Sequence, residues 1–73
     1  MAGSREIALE QALVALIAAA EKSDVDMHAW LGKATGYIMD SGGHFNLGSA
    51  YSVRACKEIS DAHADVLTRI EAD

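Results

Sequence analysis

Small and apolar residues recur at spacings of three, four and seven over residues 48–71 of the chain. Residues at these spacings share one face of a helix. The face consists of Ser52, Cys56, Ile59, His63, Val66, Leu67 and Ile70. Polar residues occupy the opposite side, namely Arg54, Lys57, Glu58, Asp61, Asp65 and Thr68. The pattern predicts a long amphipathic helix that buries one stripe and exposes the other.

The first segment, residues 4–22, is apolar around more than half of the helix that it predicts. Its main face is formed by Leu9, Leu13, Leu16, Ile17 and Ala20. Small residues form a ridge beside it, namely Ala8, Ala12, Ala15 and Ala19. Small side chains allow another helix to approach closely. We expect this helix to be central. Two neighbours do not cover its apolar circumference, so a second copy of the chain is expected to complete its burial.

The middle segment predicts a helix over residues 24–40 with two glycines in its interior. Ser23 followed by Asp26 resembles a capping box and marks the predicted start. The apolar face consists of Met27, Trp30, Leu31, Ala34, Tyr37 and Ile38. Gly32 and Gly36 each cost about 1 kcal/mol relative to alanine. Two outcomes are open: close packing of the glycine side on the alanine ridge, or a break near Gly32.

A loop over residues 41–48 separates the second and third helices. Phe45 and Leu47 alternate with polar residues there, and we expect them to fold inward over the end of the bundle. The chain is thus predicted to be all-α: a single domain, residues 1–73, of three helices with the first and third antiparallel. It is expected to form a homodimer or a larger symmetric oligomer. The predicted subunit interface comprises Leu9, Leu13, Leu16, Ile17, Ile59, His63, Val66, Leu67 and Ile70.

The acidic charge of the chain narrows the class of partner. The formal net charge is −5, with only six Lys and Arg residues among 73. Nucleic acid and anionic lipid both attract basic surfaces, so neither is an expected partner. A protein with a basic surface is the expected kind of partner.

Cysteine usage and the apolar run near the start bear on localisation. Cys56 is the only cysteine, which excludes a disulfide within the chain and favours a reducing compartment. The apolar run over residues 12–20 is too short to span a bilayer. Glu6 and Glu10 precede this run, whereas a secretory signal begins with basic residues. We therefore expect a cytoplasmic protein.

His63 places an ionisable ring in the middle of the apolar stripe. A buried imidazole needs a hydrogen-bond partner, supplied by another helix, another subunit or a ligand. Cys56 lies two turns earlier, about 10 Å along the helix, so the two residues cannot form a catalytic dyad.

The candidate metal ligands lack the paired spacing of zinc ligands; they are His28, His44, His63 and Cys56. We expect no metal, no cofactor and no enzymatic activity.

Two functions remain as hypotheses from the sequence. The first is a small acidic, non-enzymatic protein–protein interaction module, a homo-oligomeric regulator or inhibitor of another protein. Its format fits an accessory regulator or the product of a mobile element. The alternative is a helical oligomer that binds a small molecule or nucleotide in a cleft near His63. The ligand-binding candidates are His63, Cys56, Ser52, Trp30 and Tyr37. For Trp30 and Tyr37, core packing is the expected role.

Overall fold

Three helices make up most of the protein in a computed structural model, which describes residues 3–72. They are α1 (Ser4–Lys22), α2 (Met27–Met39) and α3 (Ser49–Ala72). No strand occurs within these residues, so the protein is all-α, as the periodicity predicts. The predicted bounds of the first and third helices agree with the structure to within one residue, whereas the second begins three residues later than predicted.

The start of α2 differs from the sequence prediction because Ser23 ends α1 instead of beginning α2. The Ser23 backbone N–H donates to the Ala20 carbonyl, and its hydroxyl donates to the Ala19 carbonyl at 2.7 Å. Asp24 follows with φ 59°, a left-handed conformation that breaks the helical path. Asp26 is the N-cap of α2, since its carboxylate accepts from the Ala29 N–H at 3.2 Å. The predicted capping box at Ser23 is therefore wrong.

Replacing the cap residue is expected to weaken the fold measurably. Asp26→Ala should lower the free energy of unfolding by about 1 kcal/mol, because the Ala29 N–H loses its acceptor. Ser23→Ala is the matched control, with an expected change within about 0.5 kcal/mol, because its hydroxyl bonds a carbonyl of α1. Urea unfolding followed by circular dichroism measures both. Equal losses for the two variants would show that Asp26 does not cap α2.

The second helix is continuous through both glycines. Added Cβ atoms at Gly32 and Gly36 would meet nothing within 4 Å, so this side of α2 faces open space. The glycine side therefore does not pack on the alanine ridge of α1, and no break occurs near Gly32. The helix packs on α3 instead, through the side that contains Met27, Leu31 and Ile38, all buried or half-buried.

The third helix is the central element, since α1 and α2 both pack mainly against it. The prediction that the first helix is central is wrong. With 24 residues, α3 is the longest of the three described helices, against 19 in α1 and 13 in α2. The buried apolar core of the described residues draws on all three helices, through Ile17, Ala20, Met27, Ala62 and Val66. The small residue Ala62, which the sequence pattern did not single out, lets the helices approach at this point.

The loop between α2 and α3 is held by polar side chains. Asn46 donates from Nδ2 to the Ile38 carbonyl at 2.9 Å and accepts from the Gly48 N–H at 2.8 Å. Phe45 and Leu47 point outward, with 62% and 80% of their surfaces exposed. The prediction that they cover the end of the bundle is wrong, because Asn46 is the loop residue that turns toward α2.

The molecule is flat and open for its length. Its extents are 40 × 34 × 14 Å, and its radius of gyration is 13.1 Å. A compact chain of 73 residues has a radius of gyration of about 11 Å. The accessible surface is 5703 Å², against about 4300 Å² for a compact monomer of this size. Large apolar side chains are exposed on all three helices and in the loop before α3.

Candidate functional site

The partner of His63 is a carboxylate of the first helix. Its Nε2 lies 3.0 Å from Oε1 of Glu21, and each side chain is about a quarter exposed. Cys56 does not take part, because its Sγ points toward the Thr35 carbonyl at 3.9 Å. Glu21 was not among the predicted site residues, although it stands four residues after Ile17 and so on the side of α1 that packs on α3. The imidazole thus links α1 to α3.

The contribution of this pair can be measured by a double-mutant cycle. We expect a favourable coupling of about 0.2–1 kcal/mol between Glu21→Ala and His63→Ala, because the pair remains partly hydrated. The four proteins would be compared by urea unfolding at one protein concentration. Additive losses would mean that the 3.0 Å contact adds nothing to stability, and His63 would then act through packing alone.

A groove of about 410 Å³ lies between α2 and α3 beside His63. Its described lining is mostly apolar, with Thr35, Ser60, His28 and His63 as the polar side chains. Its volume falls within the range of small-molecule sites. Of the five ligand-binding candidates, only His63 is among the described residues that line it.

The other four candidates lie elsewhere. Ser52 is buried, and its hydroxyl has no hydrogen-bond partner within the described part of the chain. Cys56 faces the Thr35 backbone. Trp30 and Tyr37 lie about 100° around α2 from the side that packs on α3. The structure therefore does not bring the five residues into one cleft.

A second, larger groove of about 700 Å³ separates α1 and α3. Apolar residues form most of its lining, including Ile7, Val14 and Ile70, and its charged residues are Glu10, Lys22 and Arg69. Arg69 already donates to Asp65 through an ion pair of 3.1 Å. Its polar side chains are Glu10, Gln11, Lys22 and Arg69, so both grooves combine an apolar lining with a few polar groups.

Ion pairs partly neutralise the acidic side of α3. Lys57 donates to Asp61 at 2.6 Å, and Arg69 pairs with Asp65. The hydrogen bond from Lys57 to the Asp61 carboxylate raises the pKa of this lysine above its ordinary value. All of these charges are at the surface, so each pair contributes little to stability.

An aromatic surface extends along one side of α2 and onto the following loop; it consists of Trp30, Tyr37 and Phe45. All three side chains are exposed, and the rings of Tyr37 and Phe45 are 5.5 Å apart at an angle of 33°. The prediction that Trp30 and Tyr37 fill the core is wrong. The helix packs on α3 through Met27, Leu31 and Ile38, which leaves the two aromatic residues beside the contact.

The alanine ridge and two leucines form an uncovered face of α1. This α1 outer face consists of Ala8, Leu9, Ala12, Ala15, Leu16 and Ala19, all of them exposed. Leu9 is 57% exposed and Leu16 is 66% exposed. Arg5 lies on this side of the helix one turn before Ala8, whereas Glu6, Glu10 and Glu21 lie on other sides. The face therefore presents about three helical turns of apolar surface to the solvent.

The residues predicted for a subunit interface separate into three groups in the structure. Ile17 and Val66 are fully buried within the chain. Leu13, Ile59, His63 and Ile70 are half-buried between helices. Leu9, Leu16 and Leu67 are exposed. Of these residues, only Leu9 and Leu16 leave more than half of their surface free for a second subunit.

Among residues 3–72, no group of three His, Cys, Asp or Glu side chains is arranged to hold a metal ion. No helix within the same residues is long and apolar enough to cross a membrane. Comparison with known proteins finds no match for this chain among protein-family models, curated proteins or solved structures.

Proposed function

We propose that this protein is a non-enzymatic protein–protein interaction module that works as a homo-oligomer and regulates or inhibits another protein. One observation carries the proposal, namely the accessible surface of 5703 Å². It exceeds that of a compact monomer of this size by about 1400 Å². A specific interface takes about 800 Å² from each partner. The excess surface is thus large enough for at least one interface.

Two of the uncovered apolar surfaces support the same proposal. The α1 outer face is aliphatic, whereas the aromatic surface on α2 contains Trp30, Tyr37 and Phe45. Trp and Tyr are the residue types that most often dominate binding energy at interfaces. The net charge of −5 favours a partner with a basic surface, because opposite charges speed association. One surface therefore serves self-association, and the other serves the regulated protein.

The oligomeric part of the proposal is tested by light scattering during size-exclusion chromatography over a wide concentration range. We expect a mass of two or more chains, with dissociation at the lowest concentrations if the assembly is weak. A single-chain mass at every concentration would contradict the proposal.

The partner part is tested by comparing the native protein with the double variant Tyr37→Ala and Phe45→Ala. A regulated protein should bind the native chain and lose affinity for the variant in a titration of the two purified proteins, provided that the variant keeps its helicity. Binding that does not differ between the two proteins would exclude the aromatic surface from the contact.

A second candidate function is binding of a small molecule or nucleotide in the groove between α2 and α3. The observation that favours it is the set of polar groups from Thr35, Ser60 and His63 over an apolar lining. A thermal-shift screen of metabolites and nucleotides should then show concentration-dependent stabilisation that His63→Leu abolishes. A screen without any shift would contradict this function.

A further inference from the structure

We propose that the α1 outer face is the dimer interface and that it binds the same face of a second copy with the two α1 helices antiparallel. The inference rests on the proposed function, because it names the occupant of the surface assigned there to self-association. It places the two-fold axis near residue 13, between the two leucines of the face.

The composition of the face explains why a helix is its natural occupant. No charged side chain interrupts the surface from Ala8 to Ala19, and Leu9 and Leu16 are more than half exposed. A second helix can approach to about 8 Å over alanines, at the close end of the usual range of interaxial distances. The leucines then lie alongside the neighbouring helix and lose most of their contact with water.

The face is also self-complementary, which a two-fold interface requires. Its residues repeat after seven positions, since Ala8, Leu9 and Ala12 are followed by Ala15, Leu16 and Ala19. The four alanines are symmetric about the midpoint between residues 13 and 14, and the two leucines about the midpoint between residues 12 and 13. These two midpoints are one residue apart, which is about 1.5 Å along the helix. Each small residue of one helix therefore meets a small residue of the other.

The position of the leucines selects the antiparallel arrangement over the parallel one. Both lie on the same flank of the alanine ridge, toward Leu13. A two-fold axis perpendicular to the helices brings equal flanks together, so Leu9 of one copy meets Leu16 of the other at both ends of the contact. A parallel pair would bring opposite flanks together and place the leucines against the side of Gln11 and Lys22.

The accessible surface of the chain is large enough for a second copy to bind. A stable dimer takes about 800 Å² from each subunit, and the chain exposes about 1400 Å² more than a compact monomer does. This excess belongs to the chain as a whole, and the α1 outer face contributes to it through Leu9 and Leu16. Trp30, Tyr37 and Phe45 lie on another helix and its loop, so they stay free for a different protein.

A charge placed at the centre of the face tests the proposal. We expect Ala12→Glu to weaken dimerisation at least 100-fold, because the axis brings the two introduced carboxylates close together in a contact without counter-charges. Gln11→Glu is the matched control, since it adds the same charge one residue away, outside the face. It should change the dissociation constant by no more than about threefold. Analytical ultracentrifugation measures both, and circular dichroism checks that each variant remains helical.

Cross-linking tests the orientation separately, in a Cys56→Ser background. We expect Ala12→Cys to form disulfide-linked dimers on mild oxidation, since it lies beside the axis. Ala19→Cys alone should not, because its two copies are about 18 Å apart along the helices. A mixture of Ala8→Cys and Ala19→Cys should give the mixed dimer. Efficient self-linking of Ala19→Cys would overturn the antiparallel arrangement.

The outcomes also separate this inference from the proposed function. If the native protein is a dimer and Ala12→Glu leaves the dissociation constant unchanged, the inference fails and the proposed function stands. In that case, loss of the dimer in the Tyr37→Ala and Phe45→Ala variant would assign self-association to the aromatic surface. If the native protein is monomeric at every concentration, both the inference and the oligomeric part of the proposed function fail.

Discussion

Ile17→Ala is expected to lower the free energy of unfolding by about 2–5 kcal/mol. Ile17 is 1% exposed and belongs to the buried cluster that joins α1 to α3. Its truncation removes buried methyl groups and leaves a cavity in a core that has few large side chains. Chains of this length are stable by about 4–11 kcal/mol, so the loss is a large share of the total. The midpoint of urea unfolding, measured at one protein concentration, gives the result.

Ile7→Ala is the matched control, because it deletes the same atoms from the same helix. Ile7 is 64% exposed, so little apolar surface returns to water, and alanine is the better helix former. We expect a change within about 0.5 kcal/mol. Similar losses at the two positions would mean that Ile17 is not in the core and that α1 packs through another side.

Substituting both glycines of α2 by alanine is expected to raise the free energy of unfolding by about 2 kcal/mol. Each interior glycine costs about 1 kcal/mol through the greater freedom of the unfolded chain. The added Cβ atoms meet nothing within 4 Å, so no packing loss opposes the gain. Urea unfolding of Gly32→Ala, of Gly36→Ala and of the double variant measures the effect and its additivity.

Gly48→Ala is the contrasting control within the same chain. Gly48 has φ +111°, a conformation that residues with a side chain rarely adopt, so we expect a loss of about 1–3 kcal/mol. Destabilisation by the α2 substitutions would show that another helix or subunit packs on the glycine side. That result would support close packing of the glycine side of α2 on another helix. The sequence pattern allows such packing, but the single chain does not show it.

The helices themselves follow from local sequence. Spacings of three, four and seven located α1 and α3 to within one residue, because a helix places such residues on one face regardless of what covers them. The buried stripe of α3 was predicted for the same reason, including Ile59, Val66 and Ile70. The start of α2 was missed, because Ser23 and Asp26 both suit a cap and only the path of the turn decides between them.

Fewer features of the candidate site than of the helices could be predicted from the sequence. The need of His63 for a partner is a property of the imidazole and was visible in the sequence. The identity of the partner depends on the way α1 lies across α3, and that crossing brings Glu21 to 3.0 Å. The proposed ligand set around Trp30, Tyr37 and Ser52 did not come together, since a shared face does not make neighbours of residues on different helices.

Periodicity alone thus established an all-α chain of three helices and the apolar side of each. The tertiary structure decided which of these apolar sides are covered. In the packed structure, α3 is the central helix. Leu9 and Leu16 are exposed on the α1 outer face, and Trp30 and Tyr37 are exposed on α2. The physical reason is that a helical pattern depends only on residues a few positions apart. Which apolar side is covered by another helix depends on the lengths and crossing of helices that are far apart in the chain.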